Sequence, residues 1–408
     1  MTAFRIGSVK QQKVSENRVR HHLRSVREKD SITELFFFHI EFTDRILDDC
    51  RKLFVRDGRK FTVVKLLSCT GKTGEIVTLM MDYSSTGSLT VSNCEATTLS
   101  AINESLRTNQ SLRRLRISAS IMAAQGLDGL VVNNTLEELD LSGTHLSQCA
   151  VECLSETLGQ NSGLRTLKLD DCDLDDQAMA TILKSLLNHE RLNTLDLSNN
   201  AASSQAMLSV ALLMAQHQQL LHLSINCLRF SDDFEPSCMF QAISALQSNT
   251  TLEALDISGN HLTNEAVLGL CECLSNNETL RCLDISDAGV DEKGLSIVAQ
   301  HLGEFQGLRD LNLSENDLTE DGAESLLAGL QSNRLLQSLG PIGQDFKCSC
   351  YIEHYLDLNL AGRRAFQNDI ALAVWPHLLA RTATADLSCG RNENALFSLL
   401  RGPALFER

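Results

Sequence analysis

Leu252 opens the segment LEALDISGNHL, Leu280 opens LRCLDISDAGV and Leu308 opens LRDLNLSENDL, each 28 residues after the last. Going backward, the same leading position falls at Leu220, Leu192, Leu164, Leu136 and Leu112, with weaker echoes at Thr86 and Phe61. From Phe61 to Leu308 the intervals are 25, 26, 24, 28, 28, 28, 32, 28 and 28 residues. A period of this length describes one small unit that cannot bury its apolar face alone and must stack on copies of itself. Length by itself suggests two or three globular domains for 408 residues, but a stack grows in one dimension, so one elongated domain is expected.

The chemistry at each offset predicts the form of the unit. Three and five residues after the leading position stand Leu139/Leu141, Leu167/Leu169, Leu195/Leu197, Leu255/Ile257, Leu283/Ile285 and Leu311/Leu313. A period of two over so few residues is a short strand with one buried face. Eight after it come Cys69, Cys94, Thr144, Cys172, Asn200, Asn260 and Asn316, small or amide groups able to satisfy loop backbone inside the turn. Eleven after it come Ser147, Asp175, Ser203, Thr263, Asp291 and Thr319, all preferred helix N-caps. Fourteen after it, Ala150, Ala178, Ala206, Ala266, Gly294 and Gly322 are small enough for helix and strand to approach. Leu270/Leu274 and Leu326/Leu330, at offsets 18 and 22, supply a buried helical stripe.

The L-x-x-L-x-L head and the helical second half resemble leucine-rich repeats of the ribonuclease-inhibitor type, over residues 61–340. The resemblance implies an α/β fold: a curved right-handed solenoid, or horseshoe, with parallel strands on the concave face and helices on the convex face. Residues 1–31, with eight basic and three acidic side chains by residue 30, are expected as a basic arm or helix, with a targeting signal as a second reading. Residues 32–60 are expected as an N-terminal cap, a strand in ITELFFFHIEF followed by a helix through Ile46, Leu47, Cys50 and Leu53. Residues 341–408, with HYLDLNLAGRR and AVWPHLLAR, are similar to the tails of many microalgal leucine-rich repeat proteins and are expected as a helical C-terminal cap.

No apolar run has membrane-spanning length. The first residues lack the apolar core of a secretory signal, so the 14 cysteines are expected as thiols in a reducing compartment, cytoplasmic with nuclear as the alternative. Asn133, Asn249 and Asn277 stand in glycosylation sequons. Yet Asn109, Asn133, Asn161, Asn249, Asn277 and Asn333 all lie three before a leading position, and the expectation is a helix C-cap in the left-handed conformation.

Offsets two, four, six and seven face away from the core and are expected to be free to vary, so binding is expected there. The expected partner-binding residues are Asp140, Lys168, Asp170, Asp196, Asn226, Asp256, Asp284, Asp310, Asn312 and Glu315. Residues 136–335 carry 31 acidic against 9 basic side chains, whereas 1–135 are net positive by 6. An acidic concavity is either a solvated face or a surface that steers a basic protein partner, and it repels nucleic acid. The 32-residue unit holds extra length around RFSDDFEPS, Arg229 to Ser237, either a neutral insertion or a projecting acidic loop.

Catalytic and metal motifs are weak. CTGKTGE, Cys69 to Glu75, imitates a phosphate-binding loop, but Leu66 stands where the motif needs glycine. His145 and His261 share offset nine without a fixed nucleophile. Cys348, Cys350, His354 and Cys389 lack a strong zinc spacing. The expected function is a non-enzymatic interaction scaffold, monomeric, without cofactor, metal, nucleic acid or membrane. One alternative is a GTPase-activating protein similar to those of the nuclear-transport GTPase, whose members typically end in an acidic tail where this chain ends in LLRGPALFER. The other is a ubiquitin-ligase substrate receptor acting through the C-terminal tail.

Overall fold

The computed structural model describes residues 2–7, 14–93, 95–122, 127–230, 236–341 and 346–360. The chain divides into two compact units, Met1–Ser209 with His217–Leu220 and Arg229–Ser231, and Val210–Gln216 with Leu221–Leu228 and Asp232–Arg408. Each unit forms the α/β repeat stack that the period predicts.

In the first unit eight strands pair in chain order: Thr2–Gly7, Ile32–Phe38, Val63–Leu67, Ser88–Ser92, Arg114–Ser118, Glu138–Asp140, Thr166–Lys168 and Thr194–Asp196. Every pairing is parallel, so each strand must return through a crossover, supplied by Glu16–Arg27, Asp44–Arg51, Thr73–Tyr83, Ala96–Leu106, Gln148–Gln160 and Asp176–Leu186. The unit opened by Leu112 is the shortest, and among its described residues the segment that is a helix in the others is a 3-10 turn, Asp128–Val131. In the second unit His222–Ser224, Ala254–Asp256, Cys282–Asp284 and Asp310–Asn312 pair in the same way, with helices Pro236–Ser244, Asn264–Asn276, Glu292–His301 and Glu320–Ser332 between or after them. Helix Ser349–Leu360 packs against Glu320–Ser332 and brings Asn359 to the Leu336 carbonyl at 2.9 Å. It is the described part of the expected C-terminal cap; residues 361–408 lie outside the described residues.

The register repeats by offset. Leu139, Leu167 and Leu195 are matched across neighbouring strands, as are Leu255, Leu283 and Leu311, and all are buried. Five of the six expected caps form alike, Ser147, Asp175, Thr263, Asp291 and Thr319 each accepting from the amide three residues on, while Ser203 accepts from the Gln205 amide, two residues on, at 3.1 Å. At offset eight, Asn260 donates to Ile225 and Ile257 carbonyls, both at 2.9 Å, and accepts from the Leu228 amide at 2.9 Å. Asn200 and Asn316 repeat that pattern. One amide therefore satisfies backbone groups of its own turn and of the turn before it.

Three expectations change. The repeat begins earlier than its leucines show. Ile32 lies 29 residues before Phe61 and leads a full unit, with Leu35 and Phe37 buried at offsets three and five and Thr43 capping the helix at offset eleven. Before it, strand Thr2–Gly7 pairs with Ile32–Phe38, and helix Glu16–Arg27 buries Val19, Leu23 and Val26. Gly7, at φ +120°, passes so close to the Phe38 carbonyl that any Cβ would collide with it. The basic segment is thus a docked helix, held further by Arg20 on Asp49 at 2.7 Å. Burial pushes the Asp49 carboxyl up, but hydrogen bonds from Arg20 and Lys52 outweigh it and leave the group below its ordinary range.

Second, the asparagines before each leading position are not left-handed. Asn161, Asn277 and Asn333 are extended, with φ −75°, −86° and −73°. Their side chains do the work instead: Asn277 accepts from the Thr279 and Leu280 amides at 2.9 and 2.8 Å and donates to the Leu246 carbonyl at 3.0 Å. Asn133, Asn249 and Asn277 are buried, which closes these sequons to glycan attachment.

Third, offset seven is not free. Ser68, Asn93, Ala119, Gly143, Asp171, Asn199, Cys227, Gly259, Asp287 and Glu315 all have φ between +49° and +71°. Every described unit from Phe61 onward, whatever its residue, turns there through the left-handed region.

Candidate partner-binding faces

Between the buried offsets three and five, offset four points outward, and the register sets its residues side by side. Arg116, Asp140, Lys168 and Asp196 are matched in the first unit; Ser224, Asp256, Asp284 and Asn312 are matched in the second. The structure gives these groups a fold role that their variety hides. Oδ1 of Asp140, Asp196, Asp256 and Asp284 accepts from the amides of Ser142, Ser198, Ser258 and Ser286 at 3.0, 3.1, 3.0 and 2.9 Å. Asn312 does the same for Ser314 at 3.2 Å. Offset four closes the turn that leads to the left-handed residue, so it favours a short acceptor side chain.

The second oxygen links neighbouring units. Asp256 Oδ2 accepts from Asn226 at 2.7 Å and from Ser224 at 3.1 Å, and Asp284 Oδ2 accepts from Asn312 at 2.8 Å. In the first unit Asn199 donates to Asp170 at 2.7 Å, and Arg116 stands 3.4 Å from Asp140, which is only 6% exposed. Lys168 lies between Asp140 and Asp196 in the register and 4.0 Å from Glu138. Acidity on the first unit's strand face is therefore partly matched by cations. On the second unit's, no Lys or Arg occupies an outward offset of the strands Ala254–Asp256, Cys282–Asp284 and Asp310–Asn312. Asp310 and Glu315 are exposed there, and Asp310 takes a hydrogen bond from Cys282 at 3.5 Å.

The remaining motifs resolve into structure. Thr70–Gly71 of CTGKTGE pairs with Glu41–Phe42, and Lys72 is held by Asp44 at 2.7 Å and Glu75 at 3.1 Å. Gly71, at φ +80°, leaves a Cβ only 2.6 Å from the Phe42 carbonyl, so its glycine serves the repeat rather than a phosphate. His145 sits on an exposed rim 3.1 Å from Asp173, and Arg229 reaches the same carboxylate at 3.9 Å. Residues 231–235 of the extra length lie outside the described residues; Pro236 begins the helix that follows. Cys348 is buried and Cys350 exposed, Cys389 lies outside the described residues, and among the described residues no cluster of three or more metal-ligating groups forms. No described helix is long and apolar enough to cross a membrane.

One feature escaped the spacing argument because it begins before the first leucine. Outward along the first five strands lie Arg5, Phe36, Lys65, Thr90 and Arg116, matched in register, with Ala3, Glu34, Val63, Ser88 and Arg114 in the row beside them. This stretch is cationic and aromatic, the reverse of the second unit's face.

Residues 132–154, 248–271, 276–298 and 308–327 match the leucine-rich repeat family model. No curated protein sequence matches the chain. Solved structures similar to it include the leiomodin-1 actin-binding site 2, at 15% identity and TM-score 0.34, covering 40% of this chain and 91% of that one. Another is an internalin from Listeria monocytogenes, at 15% identity and TM-score 0.44, covering 81% of this chain and 78% of that one.

Proposed function

We propose that this array of leucine-rich repeats is a non-enzymatic interaction scaffold that binds a basic protein segment on the acidic strand face of its second unit. The observation that carries the reading is the set Asp256, Asp284, Asp310 and Glu315 on adjacent strands and turns, with no strand Lys or Arg outward among them. A face of one sign raises the encounter rate of an opposite charge and discourages nucleic acid. The 28-residue interval supports a ribonuclease-inhibitor type of repeat, and the free thiols fit a cytoplasmic or nuclear monomer.

The test must spare the hydrogen bonds of offset four. An Asp256→Asn or Asp284→Asn side chain can set its amide against Asn226 or Asn312, each of which already donates there. Asp287→Asn, Asp310→Asn and Glu315→Gln remove charge from exposed groups outside that ladder. Stopped-flow association with a fluorescein-labelled peptide of alternating Lys and Ala should slow by about tenfold at low salt. Glu265→Gln, Glu272→Gln and Glu324→Gln, on the helices, remove the same charge and should leave the rate near the wild-type value. Equal slowing by both triples would make net charge the cause and remove the site.

A further inference from the structure

We infer that the strand face of the first unit is a second docking surface, built for an acidic protein segment with apolar side chains. It stands independently of the acidic face, on other strands and on opposite charge. Arg5, Phe36, Lys65, Thr90 and Arg116 form one outward row across five adjacent parallel strands, and Arg114 stands in the row beside Arg116. Strand spacing of about 4.8 Å makes the row roughly 19 Å long from Arg5 to Arg116. Arg5, Arg114 and Arg116 are exposed, and among the described residues no carboxylate pairs with Arg5 or Arg114.

The middle of the surface is apolar. Phe36 and Phe38 on one strand, and Val63 and Leu67 on the next, are half-exposed on the outward side, while their alternates Leu35, Phe37, Val64 and Leu66 fill the core. Solvated sheet faces are ordinarily polar at these positions. Lys65 holds its ammonium 5.3 Å from the centre of the Phe36 ring, which keeps a cation over the apolar centre. Cations at both ends and in the middle of an apolar strip complement carboxylates flanking apolar anchors. Nucleic acid fits less well: Glu34 lies in the second row, and Glu138 and Asp140 on the adjoining strand border Arg114 and Arg116.

Fluorescence anisotropy of the full chain decides the matter with three probes: a fluorescein-labelled peptide of alternating Glu and Leu, its Gln-for-Glu counterpart, and single-stranded oligothymidylate. The acidic peptide should bind, the Gln peptide should bind at least about tenfold more weakly, and Lys65→Glu, Arg114→Glu and Arg116→Glu together should weaken the acidic peptide by about tenfold or more. Arg24→Glu, Arg45→Glu and Arg56→Glu, exposed on the helical side, should leave its affinity within about twofold; circular dichroism should show both triples folded. The proposal is overturned if the acidic peptide does not bind, if oligothymidylate binds more tightly, or if both triples weaken binding alike. Salt-sensitive self-association abolished by the strand-face triple also overturns it, since the occupant is then a second copy.

Discussion

The side-chain amide of Asn277 donates to the main-chain carbonyl of Asn249 at 3.1 Å, and Asn249 is the same position of the preceding unit. Asn133 and Asn109 are joined in the same way at 2.8 Å, as are Asn161 and Asn133 at 3.0 Å. Each link is buried, so water cannot replace it. Asn277→Ala strands the Leu246 and Asn249 carbonyls and the Thr279 and Leu280 amides, and should destabilise the chain by about 3 kcal/mol in urea unfolding. A loss under about 1 kcal/mol would mean that the link is ornamental.

The leucines at offset three test the register itself. Leu283 is 2% exposed between Leu255 and Leu311. Leu283→Ala should cost about 2–5 kcal/mol as a buried large-to-small change. Cys282→Ala, one residue earlier on the exposed side, should change stability by less than about 0.5 kcal/mol.

Two units carry histidine where six others carry the buried asparagine, and this predicts acid sensitivity. His189 Nδ1 accepts from the Leu192 amide at 3.1 Å, and His217 Nδ1 accepts from the Gln219 and Leu220 amides at 3.1 and 3.0 Å. Those bonds need a neutral ring. Burial lowers both pKa values; the Glu190 charge partly opposes this for His189, and the neighbouring His189 adds to it for His217. Because the folded values lie below the unfolded one, the unfolded chain binds more protons. This stability is therefore complete above about pH 6.5 and is lost as the pH falls from there through the folded values. The urea midpoint should drop between about pH 7.5 and about pH 5.5. His189→Asn with His217→Asn should flatten that drop, and an unchanged slope would acquit the histidines.

Thiol reactivity should follow burial. Desolvation pushes Cys172 and Cys271 each up to about 12 and Cys69 to about 11, and moves Cys50 further in the same direction. Cys149, Cys227 and Cys350 are exposed. Ellman's reagent near neutral pH should label the exposed thiols in the folded chain and reach the buried ones only after urea. Prompt native labelling of Cys172 or Cys271, located by peptide mapping, would contradict this packing.

The legible part of this chain is the part written in side-chain chemistry. Leu283 at offset three, Asn260 at offset eight and Thr263 at offset eleven each do one job that few residue types can do, so their recurrence identified strand, turn and helix start. Offset seven stayed hidden because its demand falls on the backbone: Asp287, Glu315, Cys227 and Gly259 share a left-handed φ and nothing else. Asp256 and Asp284 read as free charges because a column of aspartates fits both a binding face and a row of turn acceptors, and only the distances to Ser258 and Ser286 distinguish them. The earliest strand, Thr2–Gly7, escaped, and the strand expected in ITELFFFHIEF read as a cap rather than as a repeat unit, because isoleucine and phenylalanine stand where later units have leucine. Arg5 and Phe36 were thereby left out of the expected binding residues although they occupy the same outward row as Lys65 and Arg116.

The buried asparagines have one more consequence, for how such a chain can change over generations. Asn277 takes the Leu246 and Asn249 carbonyls from the unit before it, and Asn249 takes the Met214 carbonyl in turn. Each module presents to its successor the set of groups it received from its predecessor. Duplicating or deleting one whole module within a run therefore leaves both new neighbours correctly matched, and even the 24-residue module led by Leu112 passes on the same links through Asn133. Array length is a tolerant variable in this architecture, and the asparagine that joins one module to the next is the guarded one.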